Sequence, residues 1–177
     1  MERPSHDPTA RRPHGLGDAW VDGPHGRYWG TFGAAGLLIA HPDAGVLLQH
    51  RAVWSHFGDT WGLPGGARKQ HESAEAAAIR EADEEAGVPP ELVRVLATSV
   101  NDLGYWSYTT VLARAIELFE PYVGDAESIA LSWVPLADVA ELPLHPGLER
   151  SWVELRARLV ELDPTLELDR DEPDRLN

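Results

Sequence analysis

The chain of 177 residues contains no cysteine. That absence excludes disulfides, thiolate nucleophiles and every zinc site built on sulfur, and it suits a cytoplasmic address. Long apolar runs are also missing. A bilayer span needs about 20 consecutive apolar residues, and the longest run, around Gly33 to Ala40, is far too short. Arg3, Arg11 and Arg12 are not followed by an apolar stretch, so no signal peptide is read and no membrane partner is expected. The histidines are scattered, with no His-x3-His spacing of the kind that ligates zinc.

Basic residues are scarce. There are 15 Lys and Arg against 29 Asp and Glu, for a formal net charge of −14. Such a chain repels a phosphate backbone overall, which argues against a nucleic-acid partner. An acidic protein that handles phosphates must neutralise itself locally, and a divalent cation does this well. The charge alone would equally serve solubility.

What is present is a globular composition. Hydrophobic residues make up 43%, enough for one domain with a sizeable core. Residues 1–26 are rich in Pro, Gly, His and Arg and read as an extended arm. This arm could cover a partner subunit, so a homodimer stays open, though nothing in its residues demands one. The main domain spans 27–163. From Pro164 to the end, residues 164–177, the chain carries Glu167, Asp169, Asp171, Glu172 and Asp174 and reads as an acidic tail.

Within the domain, Tyr28 to Ala40 and Val46 to Arg51 read as strands joined by the turn His41-Pro-Asp-Ala-Gly45. Ala52 to Lys69 is a long irregular segment with Gly58, Gly62, Pro64, Gly65 and Gly66, and a loop of that length in a compact domain is usually functional. Ser73 to Ala86 is the strongest predicted helix, with Ser73 as N-cap, Glu75 in the first turn and Gly87 beyond the end. Leu92 to Ser99, Tyr105 to Ala115 and Ser128 to Val134 read as strands, and Leu136 to Leu142 as a short helix. Gly147 to Leu162 reads as an amphipathic helix with Leu148, Trp152, Leu155, Leu159 and Leu162 on one stripe. Strands and helices mix without a βαβ rhythm, which predicts an α+β fold with a mixed sheet covered by helices.

The Ser73–Ala86 helix carries the chemistry. At about 100° per residue, Glu81, Glu84 and Glu85 fall on one side, together with Ala74 and Ala77, and Ile79 and Ala86 fall on the other. Like charges at i,i+4, such as Glu81 and Glu85, destabilise a helix by a few tenths of a kcal/mol. A hard cation such as Mg²⁺ removes that conflict, since it favours carboxylate oxygen. A solvated acidic face would show the same residues.

The helix does not stand alone. From Gly66 the chain runs Gly66-x5-Glu72-x7-Arg80-Glu81-Ala82-Asp83-Glu84-Glu85-Ala86-Gly87-Val88. This resembles the Nudix box, GX5EX7REUXEEXGU, at every fixed position, with Ala82 standing where a bulkier aliphatic is usual. Trp61-Gly-Leu-Pro-Gly-Gly66 and Ser132-Trp133-Val134-Pro135-Leu136 also look like Nudix segments. The resemblance implies a Nudix fold, a mixed β-sheet sandwiched between helices. It also implies hydrolysis of a diphosphate linkage with Mg²⁺ or Mn²⁺, the substrate being a small nucleotide-type molecule.

Carried over position by position, Glu81, Glu84, Glu85 and the Gly66 carbonyl resemble the metal ligands, and Glu72 and Arg80 resemble the pair that braces the motif. The base resembles either Glu81 or a later loop glutamate, Glu127, with Glu120 as competitor. Arg51 resembles a phosphate-contacting arginine. Trp54 and Tyr105 are candidates for stacking on a nucleobase, although aromatics more often serve the core. The phosphate-loop reading fails, because Ala67-Arg68-Lys69 follows Gly66 where Gly-Lys-Ser/Thr would be needed.

A nucleoside triphosphate or oxidised nucleotide is the expected substrate, with ADP-ribose or a dinucleoside polyphosphate as the alternative. The proline of some ADP-ribose hydrolases is missing from Leu103-Gly104-Tyr105. A non-catalytic nucleotide-binding module is the alternative of another class, and such members often lose box glutamates that are all retained here.

Overall fold

The computed structural model describes residues 17–167. The arm's first sixteen residues and the tail beyond Glu167, with Asp169, Asp171, Glu172 and Asp174, lie outside the described residues.

The seven-stranded sheet is built from β3 (Ala34–His41), β4 (Gly45–Arg51), β5 (Trp61–Gly62), β6 (Gly65–Ala67), β7 (Val93–Asp102), β8 (Ser107–Ala115) and β9 (Ser128–Val134). β3 runs parallel to β8 from Ala34↔Tyr108 to Ala40↔Arg114, and every other pairing is antiparallel, so the sheet is mixed. β3 and β4 pair only at their shared turn, Ala40↔Val46 and His41↔Gly45. Beyond that point they diverge. β6 takes the other end of β3 and β9 runs along the whole of β4. The divergence opens the sheet where the glycine-rich segment enters.

Alternation along β3 divides the core in two. Leu37 and Ile39 face helix α1 (Ala74–Ala86) together with Leu47, Val111 and Ala113. Leu38 and Ala40 face the opposite way with Val46, Leu48 and Leu112, against Leu148, Trp152, Leu155 and Leu159 of helix α2 (Pro146–Leu162). The sheet is therefore sandwiched between two helices. The alanines of α1 explain its close seating. Ala77, Ala78, Ala82 and Ala86 are fully buried and let its backbone lie near the strands.

The capping of α1 follows the sequence. Ser73 Oγ accepts from Ala76 N, and Gly87 adopts the left-handed conformation with its N–H on the last-turn carbonyls. The face assignment differs from expectation. Ala77 lies against the sheet, Ile79 is only partly buried, and Glu85 is 5% exposed. Glu81 and Glu85 are therefore not opposite the core, whereas Glu84 does face outward. Glu85 sits within the core, which is possible because it finds donors there.

Several boundaries also differ. The span Tyr28 to Ala40 is not one strand. β1 (Trp20–Gly23) and β2 (Gly26–Trp29) form a separate hairpin, and the chain turns through Gly30 and Gly33, both at positive φ, before β3. The expected boundary at residue 26 falls inside that hairpin. Leu136 to Leu142 yields only a 3-10 turn at Val139–Glu141. Pro164–Glu167 is not solvated tail but another 3-10 turn, its buried Leu166 closing the α2 core. β7 runs on to Asp102, and β8 begins at Ser107 rather than Tyr105.

Candidate active site

β6 carries Gly65 and Gly66 beneath α1. The backbone N–H of Gly65 donates to Glu85 Oε2 at 3.1 Å. Gly66 lies against the Glu81 carboxylate, where any side chain would collide. The two glycines thus receive two of the three box carboxylates.

The third, Glu84, points outward with 58% of its side chain exposed. Arg80 ties the group together. Its Nε and Nη2 bond Glu72 at 2.8 and 2.9 Å, its Nη1 bonds Glu81 at 2.7 Å and reaches Glu84 at 3.4 Å, and Nη2 also bonds the Ala67 carbonyl. Glu72 in turn accepts from Lys69 N. The Arg80 hydrogen bond holds the Glu72 carboxyl below the usual glutamate range, and Glu72 raises the Arg80 guanidinium further.

The second half of the site comes from the loop before β9. Glu85, Asp125 and Glu127 each offer a carboxylate oxygen, and the three atoms all lie within 4.8 Å of one another. Among the described residues this is the one such group of three, and Glu81 and Glu84 stand outside it. The loop is docked on the helix itself. Gly124 N donates to the Glu85 carbonyl at 2.9 Å and Tyr122 N to the Ala86 carbonyl at 3.3 Å. Asp125 Oδ1 accepts from Glu127 N and from Ser128 Oγ. Ala52 N holds the Glu127 carbonyl at 2.7 Å.

This arrangement is electrostatically costly without a counterion. Glu84 and Glu85 lie in the last turn of α1, which has no basic residue, and the helix dipole disfavours anions there. A divalent cation fits the donor set. The cluster offers only hard carboxylate oxygens, and Gly66 leaves room beside Glu81 that a β-carbon would fill.

Arg51 closes β4 and its Nε donates to the His56 carbonyl. Its charge bears on Tyr108 and His145, and Tyr108 also senses Glu85, so this region adjoins the carboxylates. Burial pushes the Tyr108 hydroxyl up to about 12. Burial, and then Arg51, push His145 down to about 4. His56 is lowered by the same two causes.

Trp54 is half-exposed on the loop after β4. Tyr105 is committed elsewhere. Its hydroxyl donates to the Gly26 carbonyl and its ring packs beside His25 and Tyr28, so it supports the hairpin. Glu120 is exposed. Sequence reasoning missed Asp125, Ser128 and Gln49. Gln49 had a visible signal, since it follows Val46, Leu47 and Leu48 in β4 and alternates onto the same face as Leu47.

This fold and this box define the class, and the chain belongs to the Nudix family. The NUDIX domain model matches residues 31–155. A Mycobacterium tuberculosis protein provisionally named 8-oxo-dGTP diphosphatase 3 is 50% identical over 165 residues, covering 86% of this chain and 76% of that one. The crystal structure of a Nudix hydrolase from M. smegmatis, RenU, superposes with a TM-score of 0.75 at 47% identity, covering 82% of this chain and 96% of that one. The NUDIX domain of Shewanella oneidensis NrtR, solved with ADP-ribose, matches at a TM-score of 0.57 and 27% identity over 75% of this chain and 90% of that one. The protein is thus a Nudix hydrolase, an enzyme acting on phosphorus-containing anhydrides in nucleotide-type molecules. The family depends on a divalent metal, and the acidic cluster could hold one. No described helix is long and apolar enough to cross a membrane.

Proposed function

We propose that the chain cleaves the diphosphate linkage of a nucleoside triphosphate or its oxidised form, with Mg²⁺ as the working metal and Mn²⁺ as a substitute. The observation that carries this reading is the meeting of Glu85, from the box helix, with Asp125 and Glu127, from the loop before β9. The name given to the M. tuberculosis relative supports an oxidised purine nucleotide as substrate. The acidic net charge and missing apolar spans favour a cytoplasmic enzyme that engages neither nucleic acid nor membrane.

Glu85, Asp125 and Glu127 would hold the metal, with Glu81 and the Gly66 carbonyl beside them and Glu84 at the exposed rim. Bound there, the cation supplies positive charge for the diphosphate oxygens and makes the attacking water more acidic. Glu127, with Glu81 the competing base, accepts the proton of that water as it attacks phosphorus, and the bridging P–O bond breaks with its electron pair leaving on the freed phosphate group. Arg51 pairs with a substrate phosphate through its planar fork. Trp54 offers an exposed ring to the base. Glu72 and Arg80 keep the box in shape.

The test is a screen of nucleoside triphosphates, 8-oxo-dGTP, ADP-ribose and diadenosine polyphosphates with Mg²⁺, reading phosphate and pyrophosphate release. Turnover highest on a triphosphate is expected. Preference for ADP-ribose or a dinucleoside polyphosphate would replace the substrate assignment, and no turnover of any would favour a binding module.

A further inference from the structure

We propose that Gln49 is the positioning residue that holds Glu85 and the Glu127 loop at their working separation. This inference rests on the reading of Glu85 and Glu127 as the two sides of one metal-dependent site.

Gln49 lies on β4 and is 1% exposed. By the alternation of the strand it shares the α1 face with Leu47, a position where an apolar side chain would pack. A buried amide there costs stability unless its polar atoms are bonded. Only part of that cost is recovered. The Gln49 carbonyl oxygen Oε1 is buried with no hydrogen-bond partner. Its nitrogen, by contrast, is used at both ends. Nε2 donates to Ser128 Oγ at 2.6 Å and lies 3.5 Å from Glu85 Oε2.

The bonding order is fixed by chemistry. A carboxylate only accepts, so the nitrogen rather than the oxygen of Gln49 must face Glu85. Ser128 has one hydroxyl hydrogen, which goes to Asp125 Oδ1 at 3.0 Å and leaves its lone pairs for Gln49. Asp125 Oδ1 also takes the N–H of Glu127 at 3.1 Å. A continuous chain therefore runs Glu85, Gln49, Ser128, Asp125 and the Glu127 backbone, crossing from helix to loop through the strand between them. An amide suits the middle of that chain. It donates to both sides and adds no charge, whereas lysine would compete with a cation and glutamate would add a further anion.

The experiment uses the full chain with Gln49→Met, which keeps length and removes both polar atoms, and Ser128→Ala, which breaks the same chain at a small residue. Turnover is read as kcat and KM separately, Mn²⁺ affinity by titration, and stability by thermal melting. Expected are a fall of about 10- to 100-fold in kcat or in Mn²⁺ affinity for both variants, with KM within about threefold. The melting temperature of Gln49→Met should be unchanged or raised. Two outcomes overturn the proposal: kcat and Mn²⁺ affinity within twofold of the parent in both variants, or losses that track lowered melting temperature. If Gln49→Met does not fold, Ser128→Ala decides alone. Failure of the parent enzyme to turn over any nucleotide would instead sink the functional reading, and Mn²⁺ affinity would still test the positioning.

Discussion

The Glu81 carboxylate lies directly over Gly66, so close that a β-carbon there would stand 2.7 Å from the Glu81 carboxyl carbon and 2.7 Å from Oε2. The helix and the glycine turn before it are thus fitted to each other at a single residue. Gly66→Ala moves the far end of a flexible side chain rather than backbone. Its cost should therefore fall on the site and not on the fold. Stability should change by no more than about 1 kcal/mol, while turnover falls by about 10- to 100-fold. Urea titration and steady-state kinetics check this, and wild-type kinetics would show that Glu81 needs no such approach.

The paired hydrogen bonds from Arg80 to Glu72 make a pH-dependent contribution. Glu72 is held below its ordinary value, chiefly by the hydrogen bond from Arg80. Its stabilisation is then fully present above the unfolded value of about 4.5 and is lost as pH falls through the lower folded value. Glu72→Gln should cost about 1–3 kcal/mol at neutral pH and flatten the loss of stability below that point. An unchanged acid profile would mean that Glu72 is not the titrating group.

His145 titrates in a different window. Burial and the Arg51 charge bring it to about 4 from an ordinary 6.5. The unfolded chain binds its proton more readily, so stability is complete above about 6.5 and declines as pH falls toward about 4. The total is on the order of 3 kcal/mol. His145 Nδ1 also accepts from Gly147 N at the start of α2, and asparagine keeps an acceptor there. His145→Asn should remove most of the decline across this window, leaving the part that His56, lowered by the same causes, contributes. Denaturation at a series of pH values measures it, and an equal slope in both proteins would refute the assignment.

Metal binding should separate the two adjacent glutamates. Glu85 is buried and joins Asp125 and Glu127, whereas Glu84 is exposed and outside that group. Glu85→Gln should therefore reduce Mn²⁺ affinity and kcat more than Glu84→Gln, by at least about tenfold. Mg²⁺ at 100 times its dissociation constant should stabilise the parent by about 2.7 kcal/mol, and chelation should remove both this and activity. Equal effects of the two variants would place Glu84 in the same group as Glu85.

The box, its helix and the two-helix sandwich were legible because each rests on local signals. Fixed spacing from Gly66 to Val88, a capping serine and a period of 3.6 do not depend on distant chain. The rotation of α1 was harder to read. A glutamate at position 85 suggests solvent, and donors from elsewhere in the sequence, Gly65 and Gln49 among them, make its burial possible. Asp125 and Ser128 were invisible for the same reason, since their meaning comes from contact with α1 and β4. In sequence, β1 and the hairpin turn read as part of the arm, because Pro24, His25 and Gly26 resemble linker chemistry, and β2 reads as continuous from Tyr28 into β3. The hairpin's strands are held by aromatic contacts such as Tyr28 on Trp106 and Trp20 on Trp29, which no local period reveals.

The loop that bears Asp125 and Glu127 is hydrogen-bonded through Gly124 to the carbonyl of Glu85, the residue whose side chain it faces. Backbone and side chain thus join the same two segments. The acidic half of the site should therefore open together with the end of α1. The amide hydrogens of Gly124 and of the last helical turn should then exchange with solvent at one shared rate, as a single cooperative unit. The exposed loop of Val53, Trp54 and Phe57 should exchange its amides faster.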